Sequence, residues 1–279
     1  MMTVSQVFQN GLTALQTAGT EDAEFDCGCL FSEAFQASHA WRITHAEDEA
    51  DEEKTEKFSR LIRRRCSGEP LQYILGVWPF YGRDFFVGKG VLIPRPETEQ
   101  LVEFAVKTIR EKHMKTVIDL CAGSGCIGLT VALENPDCFV WLIEKYDGAL
   151  GYLQKNLNAL GVKNAEILKA DALSDALPDI HADLLLSNPP YVPDGEMPTL
   201  QKEVCFEPEI ALAGGKDGLR FYRAIAENWL RVLNSGGEAF FECGDGQGEA
   251  IVSLFRGKSA AQEIIYDFNN IDRFVHITV

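Results

Sequence analysis

The stretch Val117-Ile118-Asp119-Leu120-Cys121-Ala122-Gly123-Ser124-Gly125-Cys126-Ile127-Gly128 constrains this chain more than any other. A short apolar run passes into three glycines spaced G-x-G-x-x-G, and a helical pattern follows over 127–134. A strand that enters a helix through a glycine turn is the opening half of a βαβ unit. The alternation continues downstream, with predicted strands at 139–143, 165–168 and 182–187 and a helix at 149–160. The run Leu184-Leu185-Leu186 is apolar without alternation, as in a strand covered on both faces. A helix is predicted over 219–233 and a fifth strand over 238–242, with 264–266 and 274–279 adding the C-terminal strands. This order predicts an α/β fold built on a doubly wound, mostly parallel sheet.

The first 75 residues read differently. Val4, Phe8, Leu12 and Leu15 recur at helical spacing, a second helix is predicted over 29–38, and a third follows the acidic run from Glu47 to Glu53 and carries Phe58, Leu61 and Ile62. Between 71 and 96, aromatic and β-branched residues are interrupted by Gly76, Pro79, Gly82, Gly88 and Gly90, which predicts a hairpin. Pro94-Arg95-Pro96 then holds off any helix until Glu97. The organisation expected is a helical domain over 1–75, a hairpin linker over 76–96 and the α/β domain over 97–279.

Composition narrows the function. The net charge of −16 argues against a chain that grips nucleic-acid phosphates and suits a protein or small-molecule substrate. Arg63, Arg64 and Arg65 are the one candidate basic patch, and a solvated helix end is the favoured reading of that triplet. The eight cysteines form no C-x-x-C pair and no zinc spacing, so no metal is expected. No apolar run has the length of a membrane span and no secretory leader pattern is visible, which leads to a cytoplasmic expectation without membrane contact.

At the glycine turn the backbone can come close to a ligand. Glu144 follows at the end of the next strand, where an acid accepts hydrogen bonds from a ribose diol. Together they predict a site for an adenosine-bearing cofactor. The glycines do not separate a dinucleotide from S-adenosylmethionine. Two features favour the latter: Asp119 holds the turn and faces a cationic ligand, and a reactive turn closes the fourth strand.

That turn is Asn188-Pro189-Pro190-Tyr191, at the carboxyl edge of the sheet. An amide nitrogen is a poor nucleophile because its lone pair is delocalised. The Asn188 side-chain oxygen and the Pro189 carbonyl can each accept one substrate N–H, aiming the lone pair at a methyl donor. Two prolines stiffen the turn and remove competing donors, and Tyr191 offers a flat wall to the planar amide.

Asn188-Pro189-Pro190-Tyr191 resembles the signature of methyltransferases acting on planar nitrogens. Ile93-Pro94-Arg95-Pro96-Glu97-Thr98-Glu99, the stretch from Phe206-Glu207-Pro208-Glu209 to Gly218-Leu219, and Glu242-Cys243-Gly244-Asp245-Gly246-Gln247 narrow the likeness. With the helical N-terminal region and hairpin, they resemble the release-factor glutamine methyltransferase family (HemK/PrmC) over nearly the whole chain. The resemblance implies a Rossmann-like class I methyltransferase fold with a seven-stranded sheet. It implies N5 methylation of the glutamine in the Gly-Gly-Gln motif of class-I peptide chain release factors, converting S-adenosylmethionine to S-adenosylhomocysteine. By that resemblance Asp119, Cys121, Ala122, Gly123, Ser124, Gly125, Glu144 and Asn188 hold the cofactor, with Asp171 and Ala172 near its adenine. Asn188, Pro189, Pro190 and Tyr191 hold the glutamine, and the stretch from Glu207 to Gly218 helps shape the pocket. The helical domain contacts the release factor, and a monomer is expected.

The chain departs from the family pattern at Cys121 and Ala122, at Ala172, and at Glu144, where the ribose acceptor stands one methylene further out than an aspartate. The rival readings are a ribosomal-protein glutamine methyltransferase, a nucleic-acid adenine methyltransferase, a nicotinamide-dependent oxidoreductase and a non-catalytic binding module.

Overall fold

Thr3 starts the chain's first helix: its hydroxyl accepts the Gln6 N–H while the Gln6 side chain accepts the Thr3 N–H, a reciprocal cap. Helices α1 (Val4–Thr17), α2 (Ala23–Phe35), α3 (His39–Thr44), α4 (Glu52–Cys66) and α5 (Leu71–Leu75) follow. The computed structural model describes residues 2–279 apart from Asp175, Pro178 and Phe268. Contacts divide the chain into two compact units, Met1–Val77 with Gln201–Phe206, and Trp78–Leu200 with Glu207–Val279.

In the helical unit, Phe31 and Phe35 stack at 4.1 Å between ring centroids, and Phe8 and Phe58 meet Phe31 edge-on. A side chain at Gly11 would meet the Phe58 ring at 2.6 Å, so glycine lets α1 and α4 close on each other. Helix α2 begins six residues before the predicted start and ends where Gln36 turns left-handed at φ 52°. The triplet at the end of α4 corrects the sequence reading, because Arg65 is buried at 6% exposure rather than solvated. Its guanidinium binds Asp26 at 2.6 Å, Glu203 and the Glu69 carbonyl. Arginine periodicity shows which turn a residue is on, but not that a partner 39 positions away is buried beneath it.

The larger unit opens with the hairpin β1 (Val77–Phe80) and β2 (Arg83–Phe86), whose turn residues Tyr81 and Gly82 both have positive φ. Phe80 and Phe85 sink into the main core. Then come α6 (Glu99–Lys112), β3 (Thr116–Leu120), α7 (Cys126–Glu134), β4 (Phe139–Glu144), α8 (Asp147–Leu160), β5 (Ala165–Lys169) and β6 (Ala182–Ser187). The chain closes with α9 (Arg220–Asn228), β7 (Leu233–Glu242), α10 (Gly248–Phe255), β8 (Ala261–Tyr266) and β9 (Asp272–Thr278).

The sheet order is β5-β4-β3-β6-β7-β9-β8. Strands β5 to β7 pair in parallel, while β9 runs antiparallel to β7 and β8. Alternate residues feed two cores: Val117, Leu184 and Leu186 join α6 and α7 on one face, and Ile118, Leu120 and Leu185 join α9 and α10 on the other. This two-sided burial is what the unalternating leucines predict. The predicted helix over 219–233 is shorter, because a 3-10 turn at Trp229–Val232 leads into a β7 that begins at Leu233. Helix α10, which buries Ile251, Val252 and Phe255, is an element for which the sequence reading predicted no helix. The chain leaves β3 for β4 and returns at β6, so the strand order reverses between β3 and β6, where open α/β sheets bind ligands beyond the carboxyl ends.

Candidate active site

The turn after β3 is shaped by close contacts rather than by glycine freedom alone. Asp119 is fully buried, and its Oδ2 accepts the Gly128 N–H at 2.8 Å, which ties the strand end to the first turn of α7. Oδ1 has no partner. Burial, reinforced by the charge of Glu144, pushes the Asp119 carboxyl up to about 7. The sequence reading turned Asp119 toward a cationic ligand. The structure instead puts it beneath the turn, away from the cavity wall, where it acts through the backbone it holds. Gly125, left-handed at φ 82°, also lies beneath, and a side chain there would strike Leu129 at 2.8 Å. Cys121 is left-handed too, at φ 65°.

Above this turn is a cavity of about 890 Å³, mouth included. Cys121, Ala122, Gly123 and Ser124 line it together with Glu144, Asp171, Ala172, Asn188 and Pro190. Of the predicted site residues, Asp119, Gly125, Pro189 and Tyr191 do not line it. Tyr191 packs into the core with its carbonyl accepting Gln247 Nε2 at 2.9 Å, and burial pushes its hydroxyl up to about 12. Pro189 is buried behind the turn.

Glu144 does not extend freely into the cavity. Its carboxylate folds back on the chain, accepting N–H bonds from Gly123 at 3.0 Å, Lys145 at 2.7 Å and Tyr146 at 2.8 Å. The longer side chain is thereby held on the backbone, with spare lone pairs facing the cavity. Partial burial works against an ionised Asp171, but the bond from Lys145 at 2.8 Å and the Leu173 N–H at 2.9 Å outweigh it and hold its carboxyl below the usual range. Burial raises the thiols of Cys121 and Cys126, the latter to about 12, so both stay protonated and neither supplies a nucleophile.

Sequence reasoning missed part of the wall. Gly90, Val91 and Leu92 line the cavity without having been singled out, while Pro208, Ile210 and Ala211 fall within the 207–218 stretch expected to shape it. Nothing periodic marks these loops. Arg95 and Thr98 also line the cavity. Glu207 joins the two stretches: its carboxylate accepts the Ile93 N–H at 2.9 Å and pairs with Arg95. Opposite, Asn188 Nδ2 donates to Thr98 Oγ1 at 3.3 Å, and Thr98 Oγ1 donates to the buried Glu242 at 2.7 Å. Burial, above all, pushes the Glu242 carboxyl up to about 7.

Residues 6–76 match the family described as PrmC N-terminal domain, and residues 98–208 the family described as methyltransferase small domain. The release factor glutamine methyltransferase of Geobacter sulfurreducens is 37% identical over 263 residues, covering 94% of this chain and 91% of its own. That of Koribacter versatilis is 34% identical over 98% of both chains. Among solved structures, the hMettl16 catalytic domain in complex with an RNA hairpin superposes with a TM-score of 0.57 at 13% identity, covering 78% of this chain and 91% of that one. The T. thermophilus 16S rRNA N2 G1207 methyltransferase in complex with AdoMet and guanosine superposes at 0.51 and 19% identity, over 72% of this chain and 49% of that one. At such identities the structures show the shared class I methyltransferase fold alone. Similarity to the curated relatives extends over both units of the chain, which therefore belongs to the release factor glutamine methyltransferase family.

Proposed function

We propose that this enzyme methylates the side-chain amide nitrogen (N5) of the glutamine in the Gly-Gly-Gln motif of class-I peptide chain release factors, with S-adenosylmethionine as donor and S-adenosylhomocysteine as product. The observation that carries the reading is the meeting of Asn188 and Pro190 with the Cys121–Ser124 turn, Glu144 and Asp171 around one cavity. The curated relatives named release factor glutamine methyltransferase supply the substrate class.

The cavity fits an adenosyl sulfonium better than a dinucleotide. A pyrophosphate needs unpaired N–H groups at the glycine turn. Here the Ala122 N–H is given to the Ile143 carbonyl at 3.0 Å, that of Gly123 to Glu144, and that of Gly125 to the Ala122 carbonyl at 2.7 Å. The wall also carries the Glu144 and Asp171 carboxylates, which favour a cation over an anion. This weighs against the oxidoreductase alternative.

S-adenosylmethionine, when bound, supplies an electrophilic methyl group on a positively charged sulfur. Glu144 accepts from the ribose hydroxyls, and Asp171 with Ala172 borders the adenine. Asn188 Oδ1 accepts one N–H bond of the substrate amide, and the main-chain carbonyl of Pro189, whose ring is buried between the cavity-lining Asn188 and Pro190, is the acceptor proposed for the other, which localises its lone pair. Orientation of this kind is worth up to roughly 7–11 kcal/mol in the best cases. No base has to act before transfer, since the nitrogen sheds its proton once alkylated. The domains read from sequence, 1–75 for substrate recognition, 76–96 as linker and 97–279 for transfer, divide the labour, and the acidic surface suits a basic protein partner. We place the enzyme in the cytoplasm as a monomer.

Mass spectrometry of a release factor incubated with the enzyme and S-adenosylmethionine tests the reading. The expected result is one added methyl on the Gly-Gly-Gln glutamine. Methyl transfer confined to ribosomal protein or to nucleic acid overturns it.

A further inference from the structure

We propose that Thr98 and Glu242 are positioning residues, which decide that Asn188 presents its carbonyl oxygen rather than its amino group to the reacting amide. The inference rests on Asn188 being the acceptor for the substrate N–H.

An asparagine amide has two nearly isosteric ends of opposite polarity, and only the oxygen accepts a hydrogen bond. A substrate amide arrives with N–H donors. An Asn188 turned the wrong way would set NH2 against NH2 and lose the interaction. Something must therefore fix the flip, and the residue's own torsion cannot, because the two orientations have almost the same shape.

Behind Asn188 stands a directional chain of bonds. Thr98 and Glu242 are each only 2% exposed, so water does not compete for them. Glu242 as a carboxylate accepts and cannot donate. The single hydroxyl proton of Thr98 is consequently given to Glu242 Oε2 at 2.7 Å. The hydroxyl then has only lone pairs left for its other neighbour, and it accepts from Asn188 Nδ2 at 3.3 Å. The Asn188 amino group is drawn toward Glu242 as well, whose charge it helps to hold. With its amino end committed inward, Asn188 has Oδ1 left for the cavity it borders.

Glu242 is itself fixed at the end of β7: its backbone carbonyl accepts the Tyr222 hydroxyl at 2.6 Å, it stands opposite Phe274 of β9, and the next residue, Cys243, donates its N–H to the Arg273 carbonyl at 2.9 Å. The carboxylate is thus anchored by the sheet, Thr98 by the turn before α6, and Asn188 by the end of β6. Three separate elements converge on one amide. Residues that lock a reacting side chain in this way raise turnover without adding to cofactor affinity.

The test uses the full-length enzyme with a release factor as methyl acceptor. Thr98→Val keeps the shape and removes the hydroxyl. It is expected to lower kcat about tenfold or more, the worth of one well-placed hydrogen bond, while the KM for S-adenosylmethionine stays within about twofold. Thr98→Ser, which restores the hydroxyl, is expected to return kcat to within about threefold of the parent. Glu242→Gln can turn either end of its amide toward Thr98, so the direction of the hydroxyl is no longer compelled, and it is expected to lower kcat as well. It serves as the second variant where Thr98→Val loses melting temperature. Parent-like kcat in either folded variant overturns the inference. If the parent methylates the glutamine and Asn188→Ala abolishes transfer while Thr98→Val and Glu242→Gln do not, the functional reading stands and this inference alone falls. If the parent transfers no methyl to the release factor, the functional reading falls and takes this one with it.

Discussion

Asp119 and Gly128 touch: the carboxylate accepts the glycine N–H at 2.8 Å, and a side chain on Gly128 would come within 2.7 Å of Asp119 Oδ2. The third glycine of the turn is needed for this approach of helix to strand, since its own φ is not in the left-handed region. Gly128→Ala is expected to cost about 1–3 kcal/mol of stability through overpacking. Calorimetry of the purified variant checks it, and an unchanged melting temperature contradicts the packing described.

Stability should fall as pH rises toward neutrality. Asp119 and Glu242 titrate at about 7 in the fold, raised chiefly by burial from ordinary values of 3.8 and 4.5. Between those values and about 7 the folded chain holds protons that the unfolded chain has released. Their contribution is present in full below the ordinary values and is lost through pH 7. The melting temperature is expected to drop between pH 5 and 8, and Asp119→Asn to flatten that drop. Parallel melting curves for parent and variant would contradict the assignment.

Turnover should rise over the same interval. Only ionised Glu242 compels Thr98 to donate toward it, so kcat at saturating substrates is expected to increase with a midpoint near the group's value of about 7. The groups facing Glu242 are Arg273 on β9, Glu97 before α6, Tyr191, Tyr222, Cys126 and Cys243. Removing the Arg273 charge should move the midpoint up, and removing that of Glu97 should move it down. Glu242→Gln should abolish the dependence.

Glu144→Ala is expected to weaken S-adenosylmethionine binding by about 1.5–3 kcal/mol, as for a lost charged acceptor. The variant also frees the N–H groups of Gly123, Lys145 and Tyr146, which adds disorder to the lining of the cavity. Isothermal titration measures the loss directly, and an unchanged dissociation constant would remove Glu144 from the site.

In the helical unit, Arg65→Ala should be severe. Asp26 is 5% exposed and already raised by burial, with Arg65 as its partner. Stranding that carboxylate is expected to cost about 3–5 kcal/mol. A melt followed by far-ultraviolet dichroism, with Arg64→Ala as the exposed comparison, distinguishes the two arginines.

The sheet was legible because its strands are short apolar runs between helices of clear period, and β6 has the bounds predicted for it, Ala182–Ser187. The part of the cavity lined by the glycine turn and Glu144 was legible because one turn and one acid carry it. The remaining wall was not. Thr98 reads as a helix start, Glu242 as the end of a strand, and Gly90 to Leu92 as an irregular loop. Their roles depend on contacts across more than a hundred positions, which no local pattern encodes. Tyr191 illustrates a related limit of local pattern: a ring beside a reactive turn reads the same in sequence whether it lines the cavity or, as here, packs partly buried against the core.

The span of those contacts also sets when the site can exist. Thr98 meets a residue 144 positions later, and Ile93 one that is 114 positions later. A nascent chain that has already folded its helices, glycine turn and first three parallel strands still lacks the carboxylates that brace the amide and fasten the mouth. Loop closure over such distances is slow. In order of synthesis the Cys121–Ser124 turn and Glu144 therefore precede both carboxylates, Glu207 and Glu242, on which Ile93, Arg95 and Thr98 depend.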